Sequence, residues 1–183
     1  MDRRQKKTRE AIFSAFTTLL SEKDLTQITV GDIIDRADVG RATFYAHFET
    51  KDFLLKQLCE ELFCHIFDAG KEEVCNHRHI FHCDAPDSVF LHLFQHLSKN
   101  DNGILQLLSG QNDHLFFRYF QEGLRKIVVS QLSLFATRKD PRVPDSFWID
   151  HICAVFVQTL RWWLTHGMQE SAETLTEYFL CAV

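Results

Sequence analysis

Proline and glycine are scarce in this chain, three and seven among 183 residues. So few breakers exclude a fold of many tight turns and favour long helices. Apolar runs are short: none approaches the roughly 18 uninterrupted residues that a membrane-spanning helix requires, so no membrane association is expected. Six cysteines stand at irregular spacing with no apolar signal segment. That usage fits a reducing cytoplasm, with most thiols buried as small hydrophobes. A nucleophile elbow, a phosphate-cradling glycine loop and CxxC or HExxH metal spacing are also missing. No enzyme activity and no cofactor are therefore expected.

Excess positive charge is lacking too, since the formal net charge is −5. Spread evenly, that charge would argue against a nucleic-acid partner, so its distribution matters more than its sum. Through Gln57 there are 10 Lys and Arg against 9 Asp and Glu, which leaves 10 against 16 for the remainder. The front is near neutral, the rest acidic, and Arg3, Arg4, Lys6, Lys7 and Arg9 form one basic cluster.

What is present is helical periodicity. Ile12, Phe16, Leu19 and Leu20 mark the buried face of a first helix from Arg3 to about Ser21. Thr29 is an N-cap for a second, with Asp32 in the capping-box position and Val30, Ile33, Ile34 and Ala37 inward. A turn at Gly40 leads to a short helix over 41–48, anchored by Phe44 and Phe48 four residues apart. Arg41, Ala42, Thr43, Tyr45 and His47 lie on its free face. Thr50 then caps a helix that begins at Lys51, where a cation opposes the helix dipole and is easier to understand beside an anion.

The run Thr43-Phe44-Tyr45-Ala46-His47-Phe48, followed by Thr50-Lys51-Asp52, resembles the recognition-helix signature of TetR-family transcriptional regulators. The resemblance implies an all-α fold: a helix-turn-helix DNA-binding domain over residues 1–50 and a ligand-binding and dimerisation domain over 51–183, with about nine helices in all. It also implies roles. Arg41 and Ala42 would face base edges, Thr43 and Tyr45 the DNA surface, His47 and Lys51 the phosphates, and Thr29 the backbone beside the second helix; the basic arm adds phosphate contacts. Arg41 suits bidentate pairing with guanine, while Ala42 offers only apolar contact. Gly31 and Gly40 stand where members often carry a base-reading or capping side chain, which implies more reliance on shape and on the arm.

Further helices are expected over about 51–76, 86–100, 104–108, 113–138 and 146–166, the last ended by Gly167, and after a Ser171 cap. Phe63, Phe67, Phe90, Phe94, Phe116 and Phe120, with Tyr119 as a polar anchor, are candidates to line an apolar effector pocket. Phe156, Leu160, Trp163, Leu164, Leu175 and Phe179 are candidates for a homodimer interface, because the two closing helices carry more apolar surface than one bundle buries. The segment from Trp162 to Met168 also resembles the C-terminal module of one subgroup of the family, where such helices form a four-helix dimer bundle. His77, His79 and His82, with the i, i+4 pair His92 and His96, raise the question of a metal. The favoured reading is a set of partly exposed histidines near a helix junction, with no metal bound. The expected partners are double-stranded DNA carrying a palindromic operator, a second copy of the chain and a small-molecule effector. The alternative is an interaction protein or co-activator that works through a protein partner.

Overall fold

A computed structural model describes residues 3–68, 88–98 and 114–183. Among them are eight α-helices, two short 3-10 turns and no strand, so the all-α expectation holds. The helices are α1 (Arg3–Glu22), α2 (Val30–Ala37), α3 (Arg41–His47), α4 (Lys51–Asp68), α5 (Val89–Ser98), α6 (His114–Ser130), α7 (Asp145–Thr165) and α8 (Ala172–Ala182). The short helix expected over 104–108, and the remainder of the one expected to run to 76, lie outside the described residues.

The first three helices form as their residues dictate. Ile12, Phe16, Leu19 and Leu20 of α1 are buried. At the start of α2 the capping box is complete: Thr29 Oγ1 accepts from the Asp32 amide at 3.1 Å, and Asp32 Oδ2 accepts from the Thr29 amide at 2.7 Å. Two donors at the helix end are thereby satisfied reciprocally. The turn into α3 differs from expectation. Its left-handed residue is Asp38 (φ 51°), whereas Gly40 is extended (φ −72°, ψ 151°) and serves as the N-cap without a side chain. A short polar side chain tolerates that conformation, which β-branched residues resist.

Phe44 and Phe48 are wholly buried, their rings 5.9 Å apart, with the Phe13 ring edge-on to Phe48 at 5.3 Å. A seven-residue helix is too short to persist alone. Each such ring removed from water contributes about 1.5–3 kcal/mol, so α3 is held by its anchors.

The same core continues through Leu54, Leu55 and Leu58 of α4 into the rest of the molecule. There α4 packs mainly on α6 and also on α5, while α5 packs on α8, and α6 on α7. The helix expected over 113–138 stops earlier, at Ser130, and the chain tightens into a 3-10 turn over Leu132–Phe135. Phe135 is thereby buried, its ring 5.8 Å from Phe90 and 6.2 Å from Phe179. Gly167 ends the segment after α7 in the left-handed conformation (φ 76°), and Ser171 Oγ accepts from the Thr174 amide to cap α8.

Two sets of residues expected at special surfaces are core instead. Phe156, Leu160, Trp163, Leu175 and Phe179 are at most 2 % exposed within a single chain, and Leu164 is half-buried. Trp163 also donates its indole N–H to Glu170 O at 3.0 Å. They hold α7 and α8 onto α5, and are not available to a second copy. Likewise Phe63, Phe90, Phe94, Phe116 and Phe120 are buried ring on ring, Phe63 to Phe120 at 5.3 Å and Phe94 stacked on Phe156 at 4.5 Å. Tyr119 is half-buried beside them, and the side chain of Phe67 lies outside the described set. Periodicity identifies the apolar face of a helix, not what covers it. Of the four described cysteines, Cys59 and Cys153 are buried and Cys64 and Cys181 exposed. Loss of solvation raises both buried thiols, that of Cys153 to about 11.

Candidate nucleic-acid interface

With Phe44 and Phe48 turned inward, helical geometry turns the other side chains of α3 outward. Arg41, Ala42, Thr43 and Tyr45 are exposed, Tyr45 at 47 %, and His47 is half-buried. The tyrosine ring stands edge-on to Phe44 at 5.5 Å, which fixes its direction from the core. Thr29 is exposed at the start of α2, and Arg3, Arg4 and Lys7 are exposed on the first two turns of α1, with Lys6 half-buried. None of the ion pairs among the described residues uses Arg41 or these four cations.

Lys51 behaves differently from expectation. Its ammonium donates to Leu25 O at 2.7 Å and to Ile28 O at 2.9 Å, the carbonyls of the 3-10 turn that joins α1 to α2. The charge is thus directed into the protein, where it ties the first turn of α4 to the α1–α2 connection. A second tie comes from Arg9, whose guanidinium meets Gln57 Oε1 at 2.8 Å and Glu61 Oε1 at 3.2 Å and lies 4.8 Å from the Phe13 ring centroid. Neither tie is legible from the chain, because each hydrogen-bond partner lies more than twenty residues away.

Two acidic residues of this unit, Asp32 and Glu22, are engaged as well. Asp32 pairs with Lys23 at 3.0 Å, and Glu22 with Arg36 at 2.6 Å. Hydrogen bonds from the Thr29 backbone, then Lys23 and the Thr29 hydroxyl, hold the Asp32 carboxyl down at about 2. The Arg36 hydrogen bond likewise lowers Glu22. The charge of Asp32 is spent on the cap and Lys23.

Away from this unit, the expected metal candidates divide. His77, His79 and His82 lie outside the described residues. His92 and His96 are not partly exposed: they are 1 % and 6 % exposed, and meet His65 of α4, 8 % exposed. The only signal for His65 was a polar residue in the apolar register of α4, seven after Leu58 and three after Leu62.

A short helix presented by an aromatic-anchored three-helix unit, beneath a larger helical body, defines a helix-turn-helix regulator. The family model described as "Bacterial regulatory proteins, tetR family" matches residues 12–58, and one described as "Transcriptional regulator C-terminal region" matches 84–180. A solved TetR transcriptional regulator from Streptococcus agalactiae 2603V is 35% identical, with a TM-score of 0.76 over 100% of this chain and 96% of that one. A TetR-family regulator from Syntrophomonas wolfei shares the fold at 19% identity, with a TM-score of 0.68 over 96% and 92% of the two chains. Two curated HTH-type transcriptional regulators of Bacillus subtilis (strain 168), YxbF and YvdT, are 41% and 34% identical over 69 and 62 residues, or 37% and 34% of this chain. Those matches span only 18% and 32% of the two relatives' own lengths. The chain belongs to the TetR family of transcriptional regulators. No helix among the described residues is long and apolar enough to cross a membrane.

Proposed function

We propose that the chain works in the cytoplasm as a homodimeric repressor that sets the α3 helices of two copies into successive major grooves of a palindromic operator and releases it on binding a small effector. The unit over residues 1–50 reads DNA; the remainder, 51–183, binds effector and partner. The observation that carries the reading is the outward set Arg41, Ala42, Thr43 and Tyr45 on a helix fixed by Phe44 and Phe48. Two copies are required because so short a helix reaches few base pairs, and specificity needs two half-sites at fixed spacing.

The second copy is best accommodated on the outer faces of α7 and α8. Phe147 (63 % exposed), Trp162 (36 %) and Tyr178 (50 %) lie there, and a groove of about 530 Å³ is lined by His151, Val155, Thr159, Trp162, Tyr178 and Ala182. Leu164 is the one residue of the sequence-derived interface set that retains exposure, and it does not line this groove.

The competing reading, a co-activator docking to protein, would gain if acidic groups cancelled the positive face. Of the acidic groups concerned, Asp32 does not do so, since its charge is used by Lys23 and the cap; Asp35 and Glu49 are exposed and count toward that reading. The test is DNA selection from genomic fragments with the purified chain, followed by Arg41→Ala on the selected site. Affinity should fall by about 1–3 kcal/mol on that site and hardly at all on random DNA, as expected of a base contact. Replacing Arg3, Arg4 and Lys6 together should flatten the salt dependence instead, and equal loss of Arg41→Ala on every sequence would refute its base-reading role.

A further inference from the structure

We propose that His65, His92 and His96 form a buried site for one divalent transition ion of the class that imidazoles prefer, zinc, cobalt or nickel, which clamps the end of α4 to α5. His92 and His96 are one turn apart on α5, and His65 approaches from α4. The Nε2 atoms of His65 and His96 are 3.0 Å apart, those of His96 and His92 3.2 Å, and the three candidate ligand atoms all lie within 4.8 Å of one another. The three rings stand at centroid separations of 4.7, 4.9 and 5.0 Å. Zinc binds imidazole nitrogen at about 2.0–2.1 Å in tetrahedral geometry, so two of its ligand atoms are separated by roughly 3.3–3.4 Å. The shortest contacts are thus within a few tenths of an ångström of the edges such an ion requires.

The chemistry of the cluster favours an ion over a purely hydrogen-bonded trio. One imidazole nitrogen carries either a proton or a lone pair, and His96 Nε2 lies within bonding distance of two other Nε2 atoms. It therefore donates to one neighbour only, or shares a single lone pair between two donors. An ion uses a lone pair from each ring at once, and the three protein nitrogens leave a fourth position open to water. All three histidines are buried, at 8, 1 and 6 % exposure.

The site also lies on the helix that supports the candidate DNA-reading unit. Glu61, one turn before His65, accepts from Arg9 of α1, and the first residue of α4, Lys51, holds the carbonyls of Leu25 and Ile28. An ion that draws His65 toward α5 acts on a helix whose earlier turns hold α1 and the entry to α2. Coupling of ion binding to operator affinity rests on the reading given under Proposed function; ion binding itself does not.

The test uses the full chain, stripped with chelator and titrated with Co²⁺ without DNA. The expected result is one Co²⁺ per chain, with the visible d–d bands of a tetrahedral nitrogen-rich site bleached by added Zn²⁺. His65→Gln, His92→Gln and His96→Gln should each abolish the bands. Added Zn²⁺ should also raise the melting temperature of the stripped wild type, a readout independent of whether the variants fold. No bands and no thermal shift in the wild type would overturn the site. Bands that survive in all three folded variants would place the ion elsewhere and overturn the assignment. Operator affinity measured with and without Zn²⁺ then tests the coupling alone: a change supports it, and equal affinity with the ion bound refutes it.

Discussion

Gly123 lies on α6 where that helix meets α4, and a methyl group added there would overlap the Phe63 ring at Cδ2, Cε2 and Cγ. Two effects of Gly123→Ala oppose each other. Helix propensity favours alanine by about 1 kcal/mol. Overpacking a filled core costs about 1–3 kcal/mol, and relief requires the Phe63 ring to leave a site where it is 4 % exposed and rests against Phe120. A contact this far inside van der Waals distance makes the steric cost the larger. The net loss should therefore reach about 1–2 kcal/mol, a fall of roughly 2–8 °C in melting temperature for a chain of this size. The sign should reverse on a Phe63→Ala background. That change alone costs about 3–5 kcal/mol, but it vacates the space the new methyl group needs, so Gly123→Ala added to it should stabilise by about 1 kcal/mol. Thermal melts of the wild type, both single variants and the double variant at one protein concentration make the comparison. A melting temperature that rises in Gly123→Ala alone, or two changes that simply add, would refute the packing described for α4 and α6.

Other expectations follow from single contacts. Lys51→Met keeps the aliphatic stem but removes both carbonyl contacts, so stability should fall by about 1–3 kcal/mol while the salt slope of DNA binding stays constant; a slope reduced by about one would return Lys51 to the phosphates. The Asp32 carboxyl titrates at about 2 in the folded chain against an ordinary 3.8. Its contribution is therefore present above 3.8 and lost as pH falls toward 2, so the stability gap between wild type and Asp32→Asn should be constant near neutrality and close over that window. A gap unchanged at pH 2 would show that the cap does not depend on the charge. Trp162→Glu combined with Tyr178→Glu should convert a dimer to a folded monomer in light scattering, because it places charge on the exposed groove and leaves the core untouched; an unchanged mass would move the interface elsewhere.

Periodicity and capping chemistry made most of the helices legible. The faces of α1 and α2, the Thr29–Asp32 box, the inward Phe44 and Phe48 and the Ser171 cap are local features, set by residues within four positions of one another. The set offered by α3 followed from the same local rule, since fixing two phenylalanines inward fixes what points out. Long-range partnership was not legible in this way. An apolar residue reads the same whether its own chain or a second copy covers it, so Phe156 and Trp163 fit an interface on periodicity alone although both are buried within a single chain. Lys51 reads as a cation awaiting an anion because the carbonyls that accept its hydrogen bonds belong to residues 25 and 28. His92 and His96 were visible as a pair, but their third member, His65, is 31 residues from His96 and hidden in the apolar register of another helix. Local sequence determined which helices form and which way each one faces. Only the packing of those helices decided what each face meets, because contacts between distant segments depend on the whole path of the chain.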